Sequence, residues 1–322
     1  MPPQYVSEHK LGSVALMFPG QGSQFAGMAK DLISESSKAR EILERADDCA
    51  GYFLSKVMGG EPPGELDCTR HTQPAIFVHS VALLEEFRST YSVSPVVAAG
   101  HSLGEYSALY AAGVLDFESA LRIILVRARG MEEAQPPSTC GMAAIIGMSK
   151  ERTLELVETC RGSDVLEIAN FNAPDQMVIS GHMKTVHRAV EAVRKEKRTR
   201  AVVLNVSSAF HTRLMEPSLE ALRRELGQVS FGQAVYPVVA NLDAQTYPSV
   251  ESEIKERLVN QVVHPVLWED CVKTMMNRGA KTFIEIGPGK VLAGLLRRIE
   301  RAATAINVSD LQSLRSLQGT HG

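Results

Sequence analysis

The sequence predicts an α/β protein in which a large domain carries a parallel central sheet and a small second domain is inserted into it. Three observations carry that reading. Short apolar runs, such as Val14 to Phe18 and Pro95 to Ala99, read as buried strands and recur between stretches with helical spacing. At 100–104 the run "GHSLG" joins one of these strands to a helical stretch, the Gly-x-Ser-x-Gly turn of α/β-hydrolase-like folds. Residues 140 to 206 read β-α-β-β-α-β, the order of a ferredoxin-like subdomain. The expected division is 1–138 with 207–322 for the large domain, and 139–206 for the small one.

The elements follow in order along the chain. Val14 to Phe18 is the first strand, and the loop "PGQGSQFAGM" leads to a helix from about Ala29. Helical spacing covers much of 36–57 and 73–91, the latter with Ile76, Val78, Ala82, Leu83 and Phe87 as its apolar positions. The strand ending at Ala99 and a helix from Leu103 to Ala112 flank the glycine turn, and a further helix runs from Glu118 to Glu133. In the inserted region "GMAAIIGM", "VLEIANFN", "QMVISG" and "RAVVLNV" read as strands, with helices at Lys150 to Cys160 and His182 to Lys197. Beyond it "VYPVVANL" and "KTFIEIG" are expected to return to the large sheet, and Val291 to Arg301 to form a closing helix.

Composition bounds what such a protein does. With 322 residues the chain has room for about two domains of on the order of 100–200 residues each. A hydrophobic share of 44% and a charged share of 22% are those of an ordinary globular protein. A net charge of −3 points to neither nucleic acid nor an anionic membrane. The basic clusters at Arg194 to Arg200 and at Arg297, Arg298 and Arg301 read first as solvated helix faces, with an acidic partner as the rival reading. The five cysteines, at 49, 68, 140, 160 and 271, are odd in number and contain no C-x-x-C, which argues for reduced thiols and against a disulfide frame or a zinc site. No run approaches the ~18 apolar residues of a membrane span. The leader "MPPQYVSEHK" is polar, without an apolar signal core, so the expected location is cytoplasmic.

Chemistry concentrates at Ser102. Gly100 and Gly104 let strand and helix approach closely, which pushes the serine to the tip of a strained turn with the unpaired N–H groups of a helix N-terminus behind it. Such a site favours a nucleophilic alkoxide and the oxyanion it generates; the rival reading is a serine that merely caps the helix. A serine nucleophile needs a base, and nine histidines are available. His101 adjoins Ser102, but neighbouring side chains in such a turn diverge. His211 lies where the chain re-enters the large domain, at a junction that suits a cleft. Asp116, Asp164 and Asp175 stand between serine and histidine as candidate acids, and none is singled out. Two nucleotide signatures fail: Phe25 breaks G-x-G-x-x-G in the first loop, and Ile284 and Val291 break the P-loop pattern around "EIGPGKV".

Six stretches taken together, "MFPGQGSQFAGM", "GHSLGEYSAL", "ANFNAPDQMVISG", "SSAFHTRLMEP", "NQVVHPVLWEDCV" and "IEIGPGKVLAGLLRRI", resemble the malonyl-CoA:acyl-carrier-protein transacylases of fatty acid and polyketide synthesis. The resemblance runs from about residue 14 to 300. It implies Ser102 as the nucleophile that carries the acyl ester, His211 as general base, and the backbone N–H groups of Gln21 and Leu103 as the oxyanion hole. It implies that main-chain carbonyls and a neighbouring polar side chain, matched at Gln261, orient the histidine in place of a triad aspartate, and that Arg127 grips the free carboxylate of malonyl. Composition alone does not separate Arg127 from Arg122 or Arg129. Phe210, before the histidine, is expected to crowd the C2 side of the pocket and select malonyl, with Met131 on the same wall and Asn172 facing the pantetheine arm.

The resemblance further implies malonyl-CoA as substrate, no cofactor or metal, and an acyl carrier protein as partner, with polyketide synthase modules acting in trans as a further partner class. Rival readings are a proofreading acyl hydrolase, which has little use for the Arg127 clamp, a catalytically silent docking module, and a generic esterase.

Overall fold

The computed structural model describes residues 12–206 and 208–319; the polar leader lies outside them. Labelled in chain order, the first half comprises β1 (Val14–Phe18), α1 (Lys30–Glu35), α2 (Ser37–Ala50), α3 (Leu54–Gly59), α4 (Thr69–Thr90), β2 (Val97–Gly100), α5 (Gly104–Ala111) and α6 (Phe117–Glu133). The middle comprises β3 (Cys140–Ile146), α7 (Lys150–Arg161), β4 (Leu166–Ala173), β5 (Gln176–His182), α8 (Met183–Val193) and β6 (Arg200–Val203). The chain then returns through α9 (Leu219–Gly227), β7 (Val238–Val239), α10 (Glu251–Gln261), α11 (Trp268–Asn277), β8 (Thr282–Ile286), α12 (Val291–Ile299), β9 (Thr304–Val308) and α13 (Leu311–Gly319).

Five strands form one parallel sheet in the order β7-β2-β1-β8-β9. Both of its faces are covered, and the strands show it residue by residue. Val14, Leu16 and Phe18 of β1 enter a core shared with α2, α4, α5 and α6, while Ala15 and Met17 point the other way into a core built on Trp268, Cys271 and Leu296. That is why β1 is apolar at every position instead of alternating. Helix α4 is buried at every residue from 72 to 84, as a helix enclosed on all sides must be.

The strands between Cys140 and Val203 form a separate antiparallel sheet, β4-β5-β3-β6, with a third core against α7 and α8. Its β4 touches the large sheet's side of the molecule: Phe171 N–H donates to Val266 O at 2.9 Å, and Val266 N–H to Ala169 O at 2.9 Å.

The helical stretches expected over much of 36–57 form as α2 and α3, separated where Gly51 adopts φ +75 and caps α2. Two other expectations are corrected. "VYPVVANL" contributes only two paired residues, Val238 and Val239, before the chain turns away. The helix at 291 does not close the fold. After Ile299 the chain adds β9, which pairs in parallel with β8, and then α13, whose Leu311 and Leu314 are buried in the main core. The edge strand was hidden because "TAINV" is short and mostly half-exposed. Among the described residues, no helix is long and apolar enough to cross a membrane.

Candidate acyl-transfer site

Ser102 sits between β2 and α5 with φ +52, in the left-handed region that disfavours a side chain. The surrounding glycines explain how the turn closes. A Cβ on Gly100 would lie 1.8 Å from the Gly104 carbonyl group, and one on Gly104 would lie 2.1 Å from Phe18 O. The strained serine is held by both of its backbone groups: its N–H donates to Asn241 Oδ1 at 2.6 Å, and its carbonyl accepts from Gln261 Nε2 at 2.8 Å. Asn241 also donates to Gly100 O at 2.8 Å, so one side chain braces both sides of the turn.

His211 meets the serine from the returning chain, 109 positions away, with Nε2 2.7 Å from Ser102 Oγ. It too has a left-handed backbone, φ +58. Its Nδ1 lies 2.8 Å from the Gln261 carbonyl oxygen. A carbonyl only accepts, so Nδ1 carries the proton and Nε2 is left to accept from the serine hydroxyl. Burial, reinforced by the charge of Arg127, pushes the imidazole down to about 3 and keeps it neutral, as a base must be.

Arg127, on α6, is 1% exposed. Its guanidinium donates to Gln73 Oε1 at 2.6 Å, Gln261 Oε1 at 2.8 Å and Ser102 Oγ at 3.0 Å. All three partners are neutral, Nε has no partner, and among the described residues no carboxylate lies within ion-pair range. A buried cation in that condition carries a large desolvation penalty that a ligand carboxylate would offset. The nearby buried acid is Glu105, which reaches Gln261 and not the guanidinium itself.

These groups line a cavity of about 80 Å³ in the gap between the two sheets. Gln21, Leu103, Phe210 and Met131 line it as well, together with His101, Gln73, Met142, Asn170, Leu204 and Val206. Leu103 caps the N-terminus of α5, and neither its amide nor that of Gln21 has a hydrogen-bond partner among the described residues. Two placements differ from expectation. Gln261 orients His211 through its main-chain carbonyl, while its side chain lies behind the guanidinium, bonded to Arg127, Glu105 and Ser102 O, and does not line the cavity. Asn172 turns away from the cavity to accept from His101 Nε2 at 2.8 Å, which fixes that ring beside Trp268; Asn170 occupies the wall instead. The candidate acids are engaged elsewhere: Asp116 caps α6, Asp164 pairs with Lys184 and Asp175 with Arg298.

Sequence reasoning missed Gln73, Asn241 and Glu105. Only Glu105 had a signal, its place in the first turn after "GHSLG". Among the described residues no group of three His, Cys, Asp or Glu side chains could hold a metal.

The acyl transferase domain matches this chain over residues 16–318. The chain belongs to that family. Other acyl transferases align along nearly its whole length. The malonyl CoA-acyl carrier protein transacylase of Bacillus subtilis is 38% identical over 305 residues, which are 94% of this chain and 96% of that protein. The enzyme of the same name from Escherichia coli K12 is 40% identical over 291 residues, 90% of this chain and 94% of that one. A solved structure described as a type II PKS acyl-carrier protein in complex with its malonyl-transacylase superposes with a TM-score of 0.91 at 37% identity, over 96% of this chain and all of that one. The acyl transferase match therefore includes β9 and most of α13, well beyond the span of the sequence resemblance.

Proposed function

We propose that this acyl transferase is a malonyl-CoA:acyl-carrier-protein S-malonyltransferase. The observation that carries the reading is Arg127: a buried guanidinium without a carboxylate partner, 3.0 Å from the serine that would receive the acyl group. Malonyl supplies a free carboxylate, which a guanidinium binds through two parallel hydrogen bonds.

The chemistry runs in two halves. His211 Nε2 takes the Ser102 proton as Oγ attacks the malonyl-CoA thioester carbonyl, and the oxyanion is received by the Gln21 and Leu103 amides. Each such donor contributes about 3–4 kcal/mol to the transition state. Collapse breaks the C–S bond, and CoA leaves as the thiol with the proton from His211. In the second half His211 takes the proton of the carrier's phosphopantetheine thiol. The sulfur attacks the malonyl ester, and Ser102 leaves as the hydroxyl. No step calls for a metal or bound cofactor. Phe210 and Met131, packed on the cavity wall, would limit what C2 can bear. The five free cysteines are in keeping with a reducing cytoplasm as the place of action.

The names of the relatives and of the solved complex support a carrier protein as acceptor. The test is to incubate the protein separately with malonyl-CoA, acetyl-CoA and methylmalonyl-CoA, and to follow the covalent adduct by intact mass before and after adding holo acyl carrier protein. The reading predicts a malonyl adduct that the carrier discharges much faster than water does. Discharge to water at the same rate would favour the hydrolase reading instead.

A further inference from the structure

We propose that Glu105 is a positioning residue for acyl transfer, holding in place Asn241, by its main chain, and Gln261, by its side chain, the two residues whose side chains fix the backbone of Ser102. The proposal rests on the reading of Ser102 as the nucleophile. Glu105 lies on the first turn of α5 and is 0% exposed. Its Oε2 accepts from Gln261 Nε2 at 2.8 Å and from the Asn241 main-chain N–H at 3.3 Å, and its Oε1 accepts from the Tyr247 hydroxyl.

Of these three partners, Asn241 and Gln261 reach Ser102 directly. Asn241 Oδ1 takes the Ser102 N–H, and Gln261 Nε2 donates its other hydrogen to the Ser102 carbonyl. One carboxylate therefore ties together the chain after β7, the end of α10 and the start of α5 around a serine whose φ of +52 would otherwise relax. It also sets the orientation of the Gln261 amide. With Glu105 and Ser102 O as acceptors, Nε2 must face them, which leaves Oε1 to receive Arg127 at 2.8 Å. A flipped amide would set NH2 against the guanidinium and lose both acceptors. Glu105 touches neither the cavity nor the reacting atoms, so its influence passes through Gln261 and Asn241.

The bond pattern distinguishes two substitutions. Glutamine keeps an acceptor for Gln261 and Asn241 while turning its amide toward the Tyr247 oxygen; leucine keeps the volume and removes every acceptor. Two readouts per folded molecule separate positioning from mere stability. One is the rate at which a fluorophosphonate labels Ser102, which needs no carboxylate recognition. The other is the ratio of kcat/KM for loading malonyl-CoA over acetyl-CoA.

Glu105→Leu should slow labelling and lower the malonyl preference, each by about tenfold or more, since small misplacements of reacting groups carry penalties up to about 100-fold. Glu105→Gln should keep both within about threefold of the original. A folded Leu variant with the original labelling rate and preference would overturn the proposal. So would a Gln variant as impaired as Leu, because charge and not hydrogen bonding would then be what matters. Should Leu fail to fold, Tyr247→Phe removes only the bond to Oε1 and should slow labelling a few-fold; an unchanged rate there would also overturn it. If the unsubstituted protein labels with fluorophosphonate but does not load malonyl, the substrate reading fails and the labelling comparison still decides the role of Glu105.

Discussion

The turn from β2 into α5 and the turn from β8 into α12 lie on either side of β1, and both run from a buried strand through glycines into a helix. They are put to opposite uses. In the first, the helix N-terminus faces the cavity, with Leu103 on its wall and Ser102 at the tip. In the second, Glu285 of β8 turns back on its own helix, its carboxylate accepting from the Leu292 and Ala293 amides at 3.0 and 2.8 Å. The positive end of α12 is thereby closed by the protein itself. A glycine-rich turn before a helix is thus not a site on its own account; what decides is whether the first amides of the helix are consumed internally or left open to a ligand.

The largest expected effect lies at the open turn. Ser102→Ala should abolish covalent loading from malonyl-CoA, with turnover falling on the order of 10⁶-fold, as in other enzymes stripped of their nucleophile; intact mass should show no adduct. The glycines sharpen the contrast next. Gly104→Ala forces a Cβ to 2.1 Å from Phe18 O and should lower stability by about 3 kcal/mol or more, read by denaturant unfolding. Gly289→Ala at the closed turn meets Ser23 O at 3.1 Å with φ +75. It should lower stability by only about 1–2 kcal/mol and leave loading per folded molecule intact.

Arg127→Ala should lower the preference for malonyl-CoA over acetyl-CoA by about 100-fold or more, since it removes a buried charge-assisted pair. Competition loading followed by mass spectrometry reads this ratio directly.

A further effect concerns the closed turn and pH. Burial pushes Glu285 up from 4.5 to about 7 despite its two amide donors. The folded form therefore takes up a proton on this group before the unfolded form does. Its contribution is least favourable above pH 7, improves as pH falls through 7, and levels off below about 4.5. Relative to Glu285→Gln, the original protein should gain on the order of 1–3 kcal/mol between pH 8 and pH 5, measured by unfolding at each pH. A flat difference would mean that the helix amides hold the carboxylate ionised.

The contrast between the two turns also marks what a sequence displays. The strand, the glycines and the helix around Ser102 lie within fifteen residues, so local spacing makes them legible, and the β-α-β-β-α-β run is legible for the same reason. Asn241, Gln73 and Glu105 act through hydrogen bonds to residues 139, 54 and 156 positions away, and one polar side chain leaves no periodic trace. The Gln261 side chain meets Arg127, Glu105 and Ser102 O and not the imidazole, because residue identity says nothing of where a long amide side chain will turn. The edge strand β9 was missed since a half-exposed pentapeptide carries little hydrophobic pattern.

The central claim is that Ser102, His211 and Arg127 act as one carboxylate-reading acylation site. It is tested most directly by offering the protein equal malonyl-CoA and acetyl-CoA, quenching early, and mapping the acyl group by peptide mass. The account predicts a malonyl ester on Ser102 in large excess over acetyl. Equal loading of the two, or an ester on another residue, would contradict it.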